Sequence, residues 1–361
     1  MAGERLVTAP VHIGVSLGQI THFQDGLGEF SRQLCQGLAA LAPRLHERHG
    51  IVFWFHMHEY LHGSFGDAVQ YLSISKWQRL RHRQAHPFAI WHNLNQLNKT
   101  LPPSGTTHRV VTVHDLNFFY FKAGYSFYRD LLRTRRMLAR TDRVVAITDY
   151  VRRDVQQRLA WHGPADVIHN GARSLVDHEQ APYPPLLGKD YLFHLSRMSP
   201  SKNIQAILDL AASWPEQHFV LAGPHGRDTR KVQARLEAHP LRNVSLMLNI
   251  SDAQKAWLYA HCGGFVFPSI TEGFGLPPIE AMHFGKSVFL SRLTSLPEVG
   301  GLVAHYFDKF DPASMRATVE AGRAADASPG RSQAIAAHAA QFSWERCAAA
   351  YAALYIKLVA T

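Results

Sequence analysis

Two pairs of charged residues stand out by type and spacing. Arg197 and Lys202 lie in Ser196-Arg197-Met198-Ser199-Pro200-Ser201-Lys202, and Glu272 and Glu280 bracket Gly273-Phe274-Gly275-Leu276-Pro277-Pro278-Ile279. Two cations that emerge together can hold a diphosphate, arginine through a fork of donors and lysine as a mobile point charge. Two carboxylates around a glycine turn can accept hydrogen bonds from hydroxyls. A diphosphate plus hydroxyls describes a nucleotide sugar, and the chemistry to expect is departure of a nucleoside diphosphate whose growing charge Arg197 and Lys202 would stabilise. The plainer alternatives are a solvated surface pair for the cations and an ordinary strand-to-helix connection for the glycines. A lone Gly-x-Gly is a weak signal, and here the flanking acids and prolines strengthen it.

These residues need a frame. The apolar run at residues 264–267 reads as a buried strand, Gly273 and Gly275 let the backbone turn tightly and approach a ligand, and Pro277-Pro278 preset the first turn of a helix. The N–H groups and positive dipole end of that helix suit a phosphate. Residues 191–195 read as the strand that delivers Arg197 and Lys202, and strands at 218–222 and 244–248 end at Gly223-Pro224-His225-Gly226 and Asn249-Ile250-Ser251-Asp252. In doubly wound folds the carboxyl ends of the strands carry the ligands. The first half shows the same alternation. A strand at 11–15 leads to a loop through Gln24-Asp25-Gly26-Leu27-Gly28 and a helix from about 29 to 41, and further strands are expected at 51–55, 89–92, 109–114, 144–148 and 166–171. Gly26 and Gly28 lack the third glycine of a dinucleotide fingerprint, so NAD is not expected. His114-Asp115 at a strand end could form a catalytic or sugar-binding pair, although with 23 histidines in the chain most must be structural.

At 361 residues with 46% hydrophobic content, the chain suits two α/β domains, and the proline-rich stretch 180–185 reads as their boundary. Three scattered cysteines, Cys35, Cys262 and Cys347, suggest neither disulfides nor zinc and fit a reducing cytoplasm. Residues 1–10 lack the pattern of a signal peptide, and no run of ~18 apolar residues marks a membrane span. The net charge of +10 is uneven: residues 1–185 hold 21 Lys and Arg against 14 Asp and Glu, the remainder 17 against 14. Its clusters are residues 76–83 and the run Arg129, Arg133, Arg135, Arg136, Arg140 and Arg143, interleaved with Leu131, Leu132, Met137 and Leu138. This is a basic amphipathic pattern, suited to a solvated face or to an anionic lipid surface or diphosphate-linked acceptor. With no nucleic-acid module legible and few aromatic residues near the clusters, nucleic acid is not an expected partner. His56, His58 and His62 lack a carboxylate pattern, so no metal is read there.

Glu272 and Glu280, with Gly273-Phe274-Gly275-Leu276-Pro277 between them, resemble the E-x7-E motif of the retaining glycosyltransferases of family 4, and Arg197 and Lys202 resemble their R-x4-K pair. The likeness covers nearly the whole chain and continues through residues 287–290, 295–301 and 306–312. It implies the GT-B fold, an α/β architecture of two Rossmann-like domains facing each other across a cleft. Residues 1–182 would form the acceptor domain, 183–343 the nucleotide-sugar domain, and 344–361 a helix crossing back to the first. The resemblance further implies that Glu280 holds the ribose hydroxyls, Glu272 the donor sugar hydroxyls, and His114 that sugar from the opposite domain. Gly26 and Gly28 would approach the diphosphate and acceptor, Gly223 the phosphates, and Asn249 and Ile250 the base, with Thr148 and Asn170 facing the cleft. The implied reaction is transfer with retention by front-face attack, the donor phosphate accepting the acceptor proton. No Asp-x-Asp occurs, so neither metal nor other cofactor is expected. The loop after His114 and the aromatic run to Tyr128 resemble bacterial enzymes that build surface polysaccharide, often from GDP-mannose. Such an enzyme would be cytoplasmic, with the inner face of the plasma membrane as the surface its basic clusters would meet. A GT-B phosphorylase or epimerase, and a non-catalytic scaffold subunit of a glycan assembly complex, remain as alternatives. The intact Arg197, Lys202, Glu272 and Glu280 argue against the scaffold.

Overall fold

The structure, a computed structural model, describes residues 9–18, 20–23 and 26–361. Gln24 and Asp25 of the first glycine loop therefore lie outside the described residues, as do residues 1–8. The chain divides into two compact units, the first Met1–Gly171 with Trp344–Thr361 and the second Ala172–Ser343.

Unit 1 is built on strands β1 (Val11–Ser16), β2 (Ile51–Met57), β3 (Gln70–Ser73), β4 (Ile90–Asn93), β5 (His108–Val113), β6 (Arg143–Ala146) and β7 (Ala165–Val167). They form one parallel sheet in the order β3-β2-β1-β4-β5-β6-β7. Its helices are α1 (Gly26–His49), α2 (Phe118–Phe121), α3 (Gly124–Leu138) and α4 (Asp149–Leu159). Unit 2 repeats the scheme with β8 (Tyr191–Leu195), β9 (His218–Gly223), β10 (Val244–Leu248), β11 (Gly264–Phe267), β12 (Val288–Ser291) and β13 (His305–Phe307), in the order β10-β9-β8-β11-β12-β13. Helices α5 (Ile204–Ser213), α6 (Thr229–Ala238), α7 (Asp252–His261), α8 (Leu276–His283), α9 (Leu296–Gly300), α10 (Pro312–Asp326) and α11 (Arg331–Ala339) surround it. Each unit is thus a Rossmann-like α/β layer structure. The central strands read as continuous apolar runs because a parallel sheet is covered on both faces. β8 and β11 are buried at every residue.

Helix α12 (Trp344–Val359) ends the chain and belongs to unit 1, where it packs along α1. Its buried Tyr351 and Tyr355 would be costly without partners, and both find them on the sheet. Tyr351 and Thr112 hydroxyls lie 2.8 Å apart, while His92 Nδ1 meets the Tyr355 hydroxyl at 2.6 Å and Nε2 meets Thr112 at 2.8 Å.

Three sequence readings shift. α1 begins at Gly26 and runs through Pro43 to His49, so Gly26 and Gly28 occupy a first helical turn instead of a preceding loop. β7 ends at Val167; Ile168 still donates to Ala146 O of β6 at 3.0 Å, and His169 to Gly171 continue as an irregular segment. The proline-rich stretch lies inside unit 2, because the chain from Ala172 onward is already tied there. Ala172 donates to Phe342 O at 2.9 Å, Arg173 pairs with Asp252 at 2.5 Å, and Ala181 donates to Ala253 O at 3.0 Å. Among the described residues no helix is long and apolar enough to cross a membrane.

Candidate active site

The turn between β11 and α8 is shaped by residues that admit few substitutes. Gly275 has φ 106°, a conformation that L side chains rarely adopt, and a Cβ there would lie 2.8 Å from Leu296 Cδ2. Proline occupies the first turn of α8, where its fixed φ suits the helix. The same prolines lack N–H groups. Of the first helical positions Pro277 and Pro278 carry no donor, so this helix start offers an anion its dipole and fewer N–H groups than the sequence suggests.

The loop before the turn is fixed from β12. Thr294 Oγ1 accepts from Glu272 N–H at 3.0 Å, and Ser295 Oγ donates to the carbonyls of Glu272 and Phe274 at 3.0 and 3.2 Å. Ile270 N–H donates to Ser201 O at 2.7 Å, joining this loop to the one that carries Arg197 and Lys202. Beneath both, His194 donates through Nδ1 to Val266 O at 2.8 Å and accepts from Ser196 Oγ at 2.7 Å, and burial lowers its pKa to about 4. It is a neutral structural imidazole.

The charged residues fall into three arrangements. Lys202 Nζ forms an ion pair with Glu272 Oε1 and sits 5.3 Å from the centroid of Phe267. Both side chains are largely buried. Arg197 is exposed and makes no ion pair or hydrogen bond among the described residues. Glu280 Oε2 accepts from the Tyr259 hydroxyl at 3.0 Å and lies 3.7 Å from Lys255 Nζ, which also reaches Asp252 at 3.5 Å. Burial and the Glu280 charge hold the Tyr259 phenol well above its usual range, so it remains a donor. Gly223 brings the next loop in. Its φ is 141° and a Cβ would stand 2.0 Å from Ser196 O; its carbonyl accepts from Asn249 N–H at 3.0 Å. Asn249 is exposed and Ile250 half-buried beside it, while Gly273 and Phe274 are buried and Leu276 is half-buried.

The remaining candidates belong to unit 1. His114, the first residue past β5, donates from Nε2 to Leu94 O at 2.8 Å and sets its ring edge on Phe30 at 4.5 Å. Burial lowers its pKa to about 4, so the ring is neutral and its Nδ1 is an acceptor. Asp115 Oδ1 accepts from Asn117 N–H at 2.9 Å, and Thr148 Oγ1 caps α4 by accepting from Val151 N–H at 3.2 Å. Asn170 is buried with its side-chain oxygen unpartnered among the described residues. Gly26 is exposed and Gly28 buried in the first turn of α1. His56 donates to Gln78 Oε1 at 2.9 Å and contacts Ser16 Oγ at 2.9 Å. Among the described residues no group of three or more His, Cys, Asp and Glu could hold a metal ion.

Sequence reasoning missed Lys255 and Tyr259, which position Glu280, and Thr294 and Ser295, which hold the Glu272 loop. The first two are four apart on α7 and share a helix face, and the last two are hydroxyl residues just past a strand end. Those spacings were the available signal.

Residues 177–310 match the family Glycosyl transferases group 1. The serotype-specific mannosyltransferase WbdA of Escherichia coli is 32% identical over 171 residues, covering 45% of this chain and 21% of that protein. The chain thus spans about a fifth of the length of that relative. The O-antigen chain mannosyltransferase B of Escherichia coli is 28% identical over 271 residues, covering 68% of this chain and 69% of its own. A sucrose-phosphate synthase from Thermosynechococcus elongatus superposes with a TM-score of 0.65 over 97% of this chain and 99% of that one, at 18% identity. The chain therefore has the GT-B fold of two Rossmann-like units, and within it residues 177–310 are similar to the family Glycosyl transferases group 1.

Proposed function

We propose that the chain is a retaining glycosyltransferase that moves mannose from GDP-mannose to a saccharide or lipid-linked glycan in cell-surface polysaccharide synthesis. The observation that carries this reading is the Lys202–Glu272 ion pair set at the glycine turn before α8, with Arg197 uncommitted nearby in sequence on the same loop. A bound diphosphate would draw Lys202 and Arg197 onto its oxygens and free the Glu272 carboxylate to accept hydrogen bonds from the sugar. Glu280, held by Tyr259, would accept from the ribose hydroxyls, Asn249 and Ile250 would border the base, and His114 Nδ1 would accept from a sugar hydroxyl. As the glycosidic bond breaks, charge grows on the leaving diphosphate, and the two cations and the α8 dipole stabilise it. The acceptor oxygen bonds to the anomeric carbon on the face that the diphosphate leaves and gives its proton to the donor phosphate, so configuration is retained. The mannosyltransferase names of both relatives support the choice of sugar. The reaction needs no metal, since cations fill that role, and no cofactor. The protein works in the cytoplasm, with the basic face of unit 1 against the inner face of the plasma membrane.

Purified chain is screened by thermal shift with GDP, UDP and their sugars, then assayed for donor turnover. GDP at 100 times its dissociation constant should add ~2.7 kcal/mol of stability. GDP-mannose should turn over in excess EDTA. Absence of any donor hydrolysis or transfer, or loss of turnover in chelator restored by Mg²⁺ or Mn²⁺, would overturn the corresponding part.

A further inference from the structure

A cavity of about 330 Å³ opens on unit 1 between the 3-10 turn Lys76–Arg79, the loop after β4 and the end of α3. That volume lies in the range of small-molecule sites, ~300–1,000 Å³. Its walls carry Arg79, Lys99, Arg133, Arg136 and Arg140 and no carboxylate. Among the described residues only Arg133 has an acidic partner, Asp130 at 3.7 Å, and Asp130 is shared with Lys122 and Arg129. Burial and the charges of Arg133, Arg79 and Arg129 hold the Lys99 ammonium below its ordinary value. Cations crowded this way repel one another until an anion joins them. A phosphate group fits the donors, which are planar forks from arginine and a point charge from lysine.

The site is built into the fold. Asn98 donates to Ser16 Oγ and Asn93 Oδ1 at 3.0 and 2.9 Å and accepts from Thr100, which fixes the loop bearing Lys99. Leu101 N–H donates to Gln78 O at 3.0 Å, and Gln78 Oε1 accepts from buried His56 at 2.9 Å, which fixes the turn bearing Arg79. Around the cavity, apolar side chains face water. Trp77 and Leu80 are exposed beside Arg79. On α3, Tyr125, Tyr128 and Leu132 form an exposed stripe next to the stripe of Arg129, Arg133 and Arg136. The sequence reading placed few aromatic residues near these clusters; the structure puts three of them on the surface there. Such side chains beside lysine and arginine are those that settle at the headgroup level of a bilayer.

We propose that this cavity binds the phosphate of an anionic lipid headgroup, with the apolar residues of the 3-10 turn and α3 entering the interface around it. The inference rests on the membrane contact proposed above and names what seats it; it does not use the glycosyl-transfer reading. The wild-type chain and three double variants are sedimented with vesicles of phosphatidylcholine, with or without phosphatidic acid, and titrated calorimetrically with inorganic pyrophosphate. Wild type should bind only the acidic vesicles, less as ionic strength rises. Lys99→Gln with Arg136→Gln should weaken vesicle binding about tenfold or more and remove a component of the pyrophosphate heat. Its melting temperature should hold or rise, since like charges are relieved. Lys99→Arg with Arg136→Lys should restore binding, and Tyr125→Ser with Tyr128→Ser should lose vesicles while keeping pyrophosphate. Equal vesicle binding by the charge-removed variant would overturn the pocket and leave the membrane contact standing. Pyrophosphate binding without vesicle binding would overturn the lipid source, and no difference in pyrophosphate heat would overturn the site.

Discussion

Glu272 and Glu280 stand one short helix start apart, yet their partners differ in kind. Glu280 is held in place by a phenol that remains a donor, whereas Glu272 is paired with the lysine that a diphosphate would claim. On the proposed reading, in which Glu280 accepts from the ribose hydroxyls, Glu280→Gln should weaken binding of bare nucleoside diphosphate by roughly 1.5–3 kcal/mol. Glu272→Gln frees Lys202, so it should leave that binding near wild type or stronger and lower transfer. Calorimetry with the diphosphate beside turnover for each variant checks this, and equal loss of affinity in both would contradict it. Arg197 makes no ion pair or hydrogen bond among the described residues of the free protein. Arg197→Ala should therefore leave the melting temperature unchanged and lower kcat by about 10²-fold, more than it weakens donor binding. Near-full kcat in this variant would remove Arg197 from the reaction.

At the scale of elements, the site depends on loops pressed together at the carboxyl ends of β8, β9 and β11. Gly223→Ala would drive a Cβ into the backbone oxygen of Ser196, which cannot swing aside, whereas Gly275→Ala meets the flexible end of Leu296. Both also place an L side chain at positive φ, at a cost of ~1–3 kcal/mol. Gly223→Ala should thus be the more destabilising in urea unfolding, and both should reduce nucleoside diphosphate affinity. Gly275→Ala falling below Gly223→Ala would reverse the argument. This scale also shows what was legible. The strand, turn and helix from Gly264 to His283 were readable because apolar run, glycine and proline act locally. Helix α1 runs past the expected end near residue 41, because the missing N–H of Pro43 costs a single bond and Leu45 beyond it is buried. The Lys202–Glu272 and Tyr259–Glu280 contacts were invisible, since they join residues 70 and 21 positions apart that only the sheet order brings together. The boundary at Gly171 was missed for the same reason, because hydrogen bonds from Ala172 and Ala181 to distant residues set it and no local composition marks it.

Across the whole molecule, both units keep histidines neutral inside their cores, and this sets a pH limit on the fold. Burial lowers the pKa of His56 and His92 to about 3, and of His114 and His194 to about 4. In the unfolded chain each would titrate near its ordinary value of ~6.5. The folded value lies below the unfolded one, so the unfolded state binds protons first as pH falls. The stabilisation is complete above about pH 6.5 and is lost progressively down to the folded values of about 4 and 3. Holding one such imidazole neutral one pH unit below its ordinary value costs about 1.4 kcal/mol. His92 has a further stake, because the neutral ring accepts from one of the Tyr355 and Thr112 hydroxyls, whereas a doubly protonated ring could only donate to both. Three of the four histidines lie in unit 1, so unit 1 should lose more on acidification than unit 2. Urea unfolding followed from about pH 7.5 to about pH 5 should show a falling midpoint. Hydrogen exchange corrected for intrinsic rate should lose protection in β4, β5 and α12 before β8 and β11. A midpoint flat across that range, or earlier opening of β8, would show that these rings do not carry the pH dependence assigned to them.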